Sequence, residues 1–452
     1  MGGRTPEPVR RLRRIRRLTA TEPGPLHAAE RVRGLRILQP LRIRDFALLY
    51  TGMTVSLLGD GIYFVAIAWQ VYELSNVPTA LSVVGLAWSL PMLVFLLVGG
   101  VLSDRFDRRH VLIASDVVRG LAIAAVGVLS VTGELELWHV VVLVALEGAG
   151  QSLFGPAFGA IVPDIVPEEM LVQANSLNQF MEPLGVRLAG PALGGLAIAA
   201  LGTGEAILLN AGSFVVSALA LALMRTRRTV ERAEAASVRR ELAEGFQFVR
   251  ANVWLWGTLA SAALGLLLFI GPYEVLVPYV VKNELGGGAD DLGFVFASGG
   301  VGAVLAALVV GQRGLPRRHM TFMYATWTIS IAAVAPYGLA TELWHAMAAS
   351  FVGGAGFTAG LIVWATLMHR LVPTSLLGRV SSLDWLVSVS LIPVSFALTG
   401  PIADAVGVGP TLIGAGVLGV PATIFFLFLP GMRDSERDGS MRPPLAAEHK
   451  LI

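Results

Sequence analysis

The chain has 452 residues, 54% of them hydrophobic and only 15% charged, with a formal net charge of +2. A soluble domain carries roughly 25% charged residues, so the composition excludes an ordinary soluble enzyme and describes a membrane protein. There is no cysteine, which excludes disulfides, thiolate metal sites and thiol redox chemistry.

Residues 1–44 are rich in arginine and broken by Pro6, Pro8, Pro23, Pro25 and Pro40, the composition of a solvated tail rather than a packed domain. The run RRLRRIRR at 10–17 has the charge to bind nucleic acid or anionic lipid. Juxtamembrane arginine is also what fixes a cytoplasmic terminus, and a cytoplasmic tail with no nucleic-acid partner is the reading adopted. No signal peptide is recognisable.

Apolar runs follow at 46–72, 77–101, 110–132, 138–162, 171–200 and 205–224, then at 256–281, 291–311, 320–341, 343–369, 376–402 and 409–430. Each supplies the ~20 residues a helix needs to cross hydrocarbon. The expected fold is therefore all-α, with twelve transmembrane helices. Arg105, Arg108 and Arg109, then Arg313, Arg317 and Arg318, then Arg370 and Arg379 fall in connections on one side, which the positive-inside bias makes cytoplasmic. Both termini then lie in the cytoplasm and the chain sits in the plasma (inner) membrane.

The polar interval from Arg225 to Asn252 divides the spans six and six, and Leu242, Phe246 and Val249 within it mark an amphipathic helix on the membrane surface. The organisation is a tail at 1–44, a bundle at 45–225, a cytoplasmic loop at 226–255, a second bundle at 256–430 and a tail at 431–452. The bundles resemble each other: VPEEMLVQANSL at 166–177 aligns with VPTSLLGRVSSL at 372–383, and Arg108-Arg109-His110 matches Arg317-Arg318-His319. Two six-helix repeats about an axis along the membrane normal are a transporter architecture, with the site between them at midplane.

Between the second and third spans the chain reads GVLSDRFDRR, from Gly100 to Arg109. This resembles the loop signature of the major facilitator superfamily, a Gly followed by an Asp-Arg and an Arg pair, and with the topology the resemblance covers about residues 45–430. Asp107 stands where a second Gly is usual. The resemblance implies a conformational latch of Gly100, Asp104, Arg105, Arg108 and Arg109, with Asp104 near the start of the eleventh helix, around Leu376, and Arg108 bridged to Asp164. The segment 176–195 further resembles the drug-efflux branch that includes macrolide and siderophore exporters, since Gly190, Pro191, Gly194 and Gly195 match the end of its fifth-helix antiporter motif. The same residues also suit close helix packing. Glu147 lies near where many relatives carry an arginine.

A charge at mid-bilayer costs ~2.5–3.5 kcal/mol even on the lenient insertion scale, so each one needs a partner or a purpose. Asp60, Glu147, Glu182, Arg187 and Asp384 are the candidate proton-coupling or substrate residues, Asp60, Glu147 and Glu182 being the leading proton sites. Asp116 and Arg119, three apart on one helix, are read as neutralising each other. Arg187 is read as the one deeply placed cation, with Glu182, Glu147 and Asp60 as alternative partners. The aromatic residues are read chiefly as packing and interfacial anchors.

No phosphate loop, nucleophile motif or metal-ligand spacing of histidines is present, and Gly356-x-x-x-Gly360 reads as helix packing. The expectation is a transporter rather than an enzyme, without cofactor. It is expected to be a monomer taking a small molecule and protons, exporting lipophilic or cationic drugs in exchange for protons. Export of one metabolite such as a siderophore, a non-transporting sensor and import by symport stay open as alternatives.

Overall fold

The computed structural model describes residues 36–225 and 238–437, without the side chains of Arg36, Ile37, Leu97, Gly100, Val101, Asp104, Glu168, Val172, Gln179, the stretch 238–242, Thr374 and Ser375. The arginine run at 10–17 and the chain after Arg437 lie outside the described residues. Every regular element among those described is helical.

The first half contains α1 (Arg44–Leu74), α2 (Pro78–Arg105), α3 (Arg108–Thr132), α4 (Leu137–Ile165), the composite α5 and α6 (Thr203–Ala222). Helix α5 runs as Leu171–Glu182, then a π-helical turn over Pro183–Ala189, then Gly190–Leu201. The linker helix α7 (Val238–Ala251) follows. In the second half, α8 starts as Val253–Gly271 and passes through π turns at Pro272–Leu276 and Val280–Glu284. After it come α9 (Ala289–Arg313), α10 (His319–Ala332) and α11 (Leu343–Leu371). Helix α12 comprises Thr374–Ser390 and Ile392–Val406, and α13 is Val408–Ile424.

Eleven of the described helices are long and apolar enough to cross a membrane. The ninth expected span, 320–341, departs from the expectation of a continuous helix. It is α-helical only to Ala332 and finishes as a 3-10 turn at Ala335–Leu339. Pro336 supplies no amide hydrogen and disfavours helix in the residue before it, and the turn is the local consequence.

The repeat extends to the chain's punctuation. Glu136-Leu-Trp-His139 recurs as Glu342-Leu-Trp-His345. In each copy the histidine Nδ1 accepts from the glutamate amide at the helix start, at 3.1 Å and 3.3 Å, so the fourth helix of each half begins on the same cap. Gly202 and Gly407, with φ of 111° and 96°, make the turn between the fifth and sixth helices of each half; only glycine adopts that backbone without strain.

The core shows how the halves meet. At the end farther from the termini, one continuous cluster joins Val65, Tyr72, Ile123 and Phe214 of the first half to Val275, Leu292, Val295 and Leu412 of the second. At the end carrying the termini it divides. Phe46, Leu49, Leu112, Ile161 and Leu221 form one cluster, and Phe248, Leu255, Tyr324, Leu367 and Val380 another. The halves are fused at the far end and parted at the terminal end.

Hydrogen bonds reinforce the far end. Tyr72 Oη donates to the Val275 carbonyl at 2.6 Å, Lys282 Nζ to the Tyr72 carbonyl at 2.6 Å, and Asn76 to Asn283 at 2.6 Å, while Thr79 bonds Asp404. At the terminal end, by contrast, a Cβ added at Gly155 or Gly159 of α4, or at Gly378 of α12, would meet nothing within 4 Å. Linker helix α7 belongs to the second half: Phe248 and Val249 are buried there and Glu244 pairs with Arg379 at 2.5 Å. Phe246, read with Leu242 and Val249 as the apolar face of a helix on the membrane surface, is 57% exposed.

Candidate functional site

Parting the halves at one end leaves a cavity of about 630 Å³ between them. Its walls are largely aromatic and aliphatic, with Tyr63, Trp88, Phe154 and Phe158 from the first half and Phe269, Tyr273, Phe296 and Phe357 from the second. Aromatic residues expected as packing are thus in part cavity lining. Six charged side chains reach it: Asp60, Arg119, Glu147, Glu182, Arg187 and Glu274.

The centre of the charged group is Arg119, which the sequence reading did not select as a site residue. Its guanidinium is nearly fully buried, spans from α3 to two other helices, and meets both oxygens of Asp60 on α1 at 3.1 Å through Nη2. Nε donates to Glu147 Oε1 on α4 at 3.1 Å. One face stacks on the Phe214 ring of α6, 4.4 Å from its centroid. The long side chain finds room because α4 carries Gly150, where a Cβ would sit 2.7 Å from Arg119 Cγ. The expectation that Asp116 and Arg119 neutralise each other is corrected: spacing along one helix sees only that helix, and Arg119 reaches across to two others. Asp116 keeps no hydrogen bond on either oxygen.

Arg187 is therefore not the one deep cation. It projects from the π turn of α5, exposed to the cavity, with its guanidinium over the Phe357 ring at 5.2 Å. No ion pair within 4.0 Å is described for it, so none of Glu182, Glu147 and Asp60 is its close partner among the described residues. Glu182, just before Pro183, is exposed on the cavity wall. Glu274 sits in the π turn of α8. Two of the cavity's charges thus stand where a helix is locally widened, a geometry that re-aims side chains and frees backbone groups.

Asp384 takes a different place. It accepts from Trp364 Nε1 at 3.1 Å and from Ser388 Oγ at 3.4 Å, and it is not among the cavity-lining residues. It stands apart from Asp60 and Glu147, held by an indole on the neighbouring helix.

At the terminal end, Arg108 donates to Asp164 Oδ2 at 2.5 Å and to the Ala160 carbonyl at 2.8 Å, joining α3 to the end of α4. Arg109 donates to the Ala222 carbonyl at the close of α6, at 2.5 Å. Arg105 is exposed. The side chains of Gly100 and Asp104 lie outside those described. Gly190, Pro191, Gly194 and Gly195 form a contact seam. A Cβ on Gly194 would lie 2.9 Å from Ile62 Cα of α1, and one on Gly195 2.7 Å from the Ala289 carbonyl at the start of α9. The segment is packed against its own half on one face and the opposite half on the other.

Residues 36–449 match the family described as transmembrane secretion effector, a branch of the major facilitator superfamily. The chain belongs to that family. It is 30% identical to the multidrug efflux pump Tap of Mycolicibacterium fortuitum over 87% of this chain and 97% of that one. It is 24% identical to macrolide efflux protein A of Streptococcus pyogenes, over 82% and 93%. It is 26% identical to the enterobactin exporter EntS of Shigella boydii, over 82% and 90%. Among solved structures, a D-xylose-proton symporter matches with TM-score 0.66 and 17% identity over 85% of this chain and 98% of that one. A bacterial homologue of the iron transporter ferroportin, in the inward-facing state, matches with TM-score 0.63 and 17% identity over 85% and 99%. As a member of this family the chain is a multi-pass membrane transporter and not an enzyme.

Proposed function

We propose that the chain is a proton-coupled exporter of lipophilic or cationic compounds, working as two bundles that rock about the central cavity with both termini in the cytoplasm. The observation that carries this reading is the Asp60–Arg119–Glu147 cluster on the wall of an aromatic cavity that is open at one end only. With the termini cytoplasmic, the open end faces the cytoplasm, ready to load. Four carboxylates against two guanidiniums leave the cavity with an excess of acid, which attracts a cation, and aromatic faces stabilise it further. A proton on Asp60 or Glu147 removes a negative charge from beside Arg119 and changes the field that the substrate meets, which is how exchange of one for the other is achieved. The multidrug and macrolide pumps among the relatives support this choice.

The Arg108–Asp164 pair, formed within the first half while the terminal end is open, anchors in this reading a latch that Asp104 and its neighbouring arginines complete when that end closes. The seam at Gly190–Gly195 and Gly293 is the surface about which the halves pivot.

A second reading has one observation behind it. Arg187 presents an exposed guanidinium to the cavity with no ion pair within 4.0 Å among the described residues, and it would suit an anionic metabolite such as a siderophore. Purified protein in proteoliposomes separates the two. Tetraphenylphosphonium and a catecholate anion are offered with and without an imposed pH gradient. The proposal expects gradient-dependent movement of the cation, and equal rates in both conditions would overturn proton coupling.

A further inference from the structure

Asp116 is the charged group that the proposed mechanism has not used. It lies three residues before Arg119 on α3, on the same helical face and one turn nearer the terminal end. It is 1% exposed and has no hydrogen bond to either oxygen, although Ser217 of α6 and Arg119 stand beside it. Burying a carboxylate without compensation is costly, and the protein retains it within reach of a guanidinium engaged elsewhere. The charged groups facing this region are Asp60 from α1 and Glu147 from α4, both held by Arg119; α6 contributes the Ser217 hydroxyl.

Two further features bear on the space between Asp116 and Arg119. The Phe214 ring, on which the guanidinium stacks at 4.4 Å, is three residues from Ser217 and shares its face of α6. Gly150 keeps the path of the arginine stem free of a side chain. The guanidinium thus rests on an aromatic face of the helix that also carries Ser217, the hydroxyl beside Asp116, and a cation on such a face keeps part of its stabilisation while partners change.

We propose that Asp116 is a second seat for the Arg119 guanidinium, taken when Asp60 and Glu147 are neutralised, so that Arg119 is a two-position switch. In the present state it ties α3 to α1 and α4 at mid-depth. In the other it withdraws one turn toward the terminal end, releases α1, and leaves Asp60 and Glu147 open to the cavity. Asp116 is a positioning residue that touches no substrate. The inference rests on the alternating-access reading and not on the choice of substrate.

The absence of cysteine allows a direct test. Asn175→Cys and Ser381→Cys, at exposed and repeat-related positions on α5 and α12, carry nitroxide labels, and pulsed electron resonance in liposomes reads the opening of the terminal end. Asp60→Asn with Glu147→Gln is expected to enrich the short-distance, closed population several-fold. Adding Asp116→Asn should return it to the parental distribution, and adding Asp116→Glu, which keeps a carboxylate, should leave the enrichment in place. The proposal is overturned by a double variant with parental distances or by an enrichment that survives Asp116→Asn. Should the triple variant not fold, Asp116→Ser takes the place of Asp116→Asn on the same double background and is expected to restore the parental distribution; an enrichment that survives it overturns the proposal. The distances report the switch whether or not a pH gradient drives flux, so its failure is distinct from failure of the coupling reading.

Discussion

The two halves share a fold and differ in chemistry. Both begin their fourth helix on a Glu-Leu-Trp-His cap and turn between fifth and sixth helices at a glycine of positive φ. Yet the first half buries Asp116, Arg119 and Glu147 and brings Asp60 beside them, whereas the second contributes Glu274 alone among charges to a cavity wall that includes Phe269, Tyr273, Phe296 and Phe357. Duplication preserved what the backbone needs, the caps and turns, and left the side chains of the cavity free to diverge. Charge is concentrated in the first half while both halves bring aromatic rings to the cavity, so a ligand between them is stacked on both sides and meets charge chiefly on one.

That contrast is broken most severely at Arg119. Arg119→Met leaves Asp60 and Glu147 facing each other without a cation, and removing one partner of a buried ion pair costs ~3–5 kcal/mol. A large fall in the thermal midpoint, read by tryptophan fluorescence in detergent, is expected together with loss of transport. Glu274→Gln in the second half should cost far less stability. Equal losses in the two variants would dissolve the distinction between the halves.

Next in size is the seam where the halves touch. A Cβ on Gly293 would fall 2.6 Å from the Pro191 carbonyl and 3.0 Å from Gly195 Cα. Overpacking of this kind costs ~1–3 kcal/mol, so Gly293→Ala is expected to lower the midpoint moderately and slow transport several-fold, because the strain falls on the surface that must shift. Transport at the parental rate would remove the pivot from this seam.

A smaller effect is expected at the far end. Lys282→Met deletes the charge-assisted bond to the Tyr72 carbonyl and the cation above Trp69, worth about 1 kcal/mol for a half-exposed group. The seal should loosen rather than fail. A reporter cysteine at Ala80, otherwise 4% exposed, should then react several-fold faster with a membrane-impermeant maleimide, and an unchanged rate would assign the seal to apolar packing alone.

How much of this was legible in the sequence follows from the range of each interaction. Long apolar runs were readable because the bilayer demands them, and eleven of the described helices are long and apolar enough to cross it, whereas the break in α10 was missed although Pro336 marks it. The Arg108–Asp164 contact that the loop motif implied is present, but it joins two helices of one bundle rather than the two bundles. Arg119 was misread because its neighbour at three residues was visible and its partners, 59 and 28 residues away, were not. A signal for the repeat was overlooked: the identical tetrapeptide at 136–139 and 342–345 aligns the halves more firmly than the matches at 166–177 and 372–383. Nothing in the spacing marked the π turns that carry Arg187 and Glu274, since Pro183 and Pro272 read equally well as simple kinks.

The finest test of the contrast is Asp384, an acid of the second half that sequence alone grouped with Asp60 and Glu147. Its carboxylate is fixed by the Trp364 indole at 3.1 Å and stands off the cavity wall. An amide oxygen accepts from an indole as a carboxylate oxygen does, so Asp384→Asn keeps that bond at nearly constant volume. The midpoint should move by no more than about 0.5 kcal/mol in stability, and gradient-driven transport should stay at the parental rate. Loss of proton coupling in this variant, with the fold intact, would place an ionic element in the second half and require that a proton pass between the bundles rather than within one.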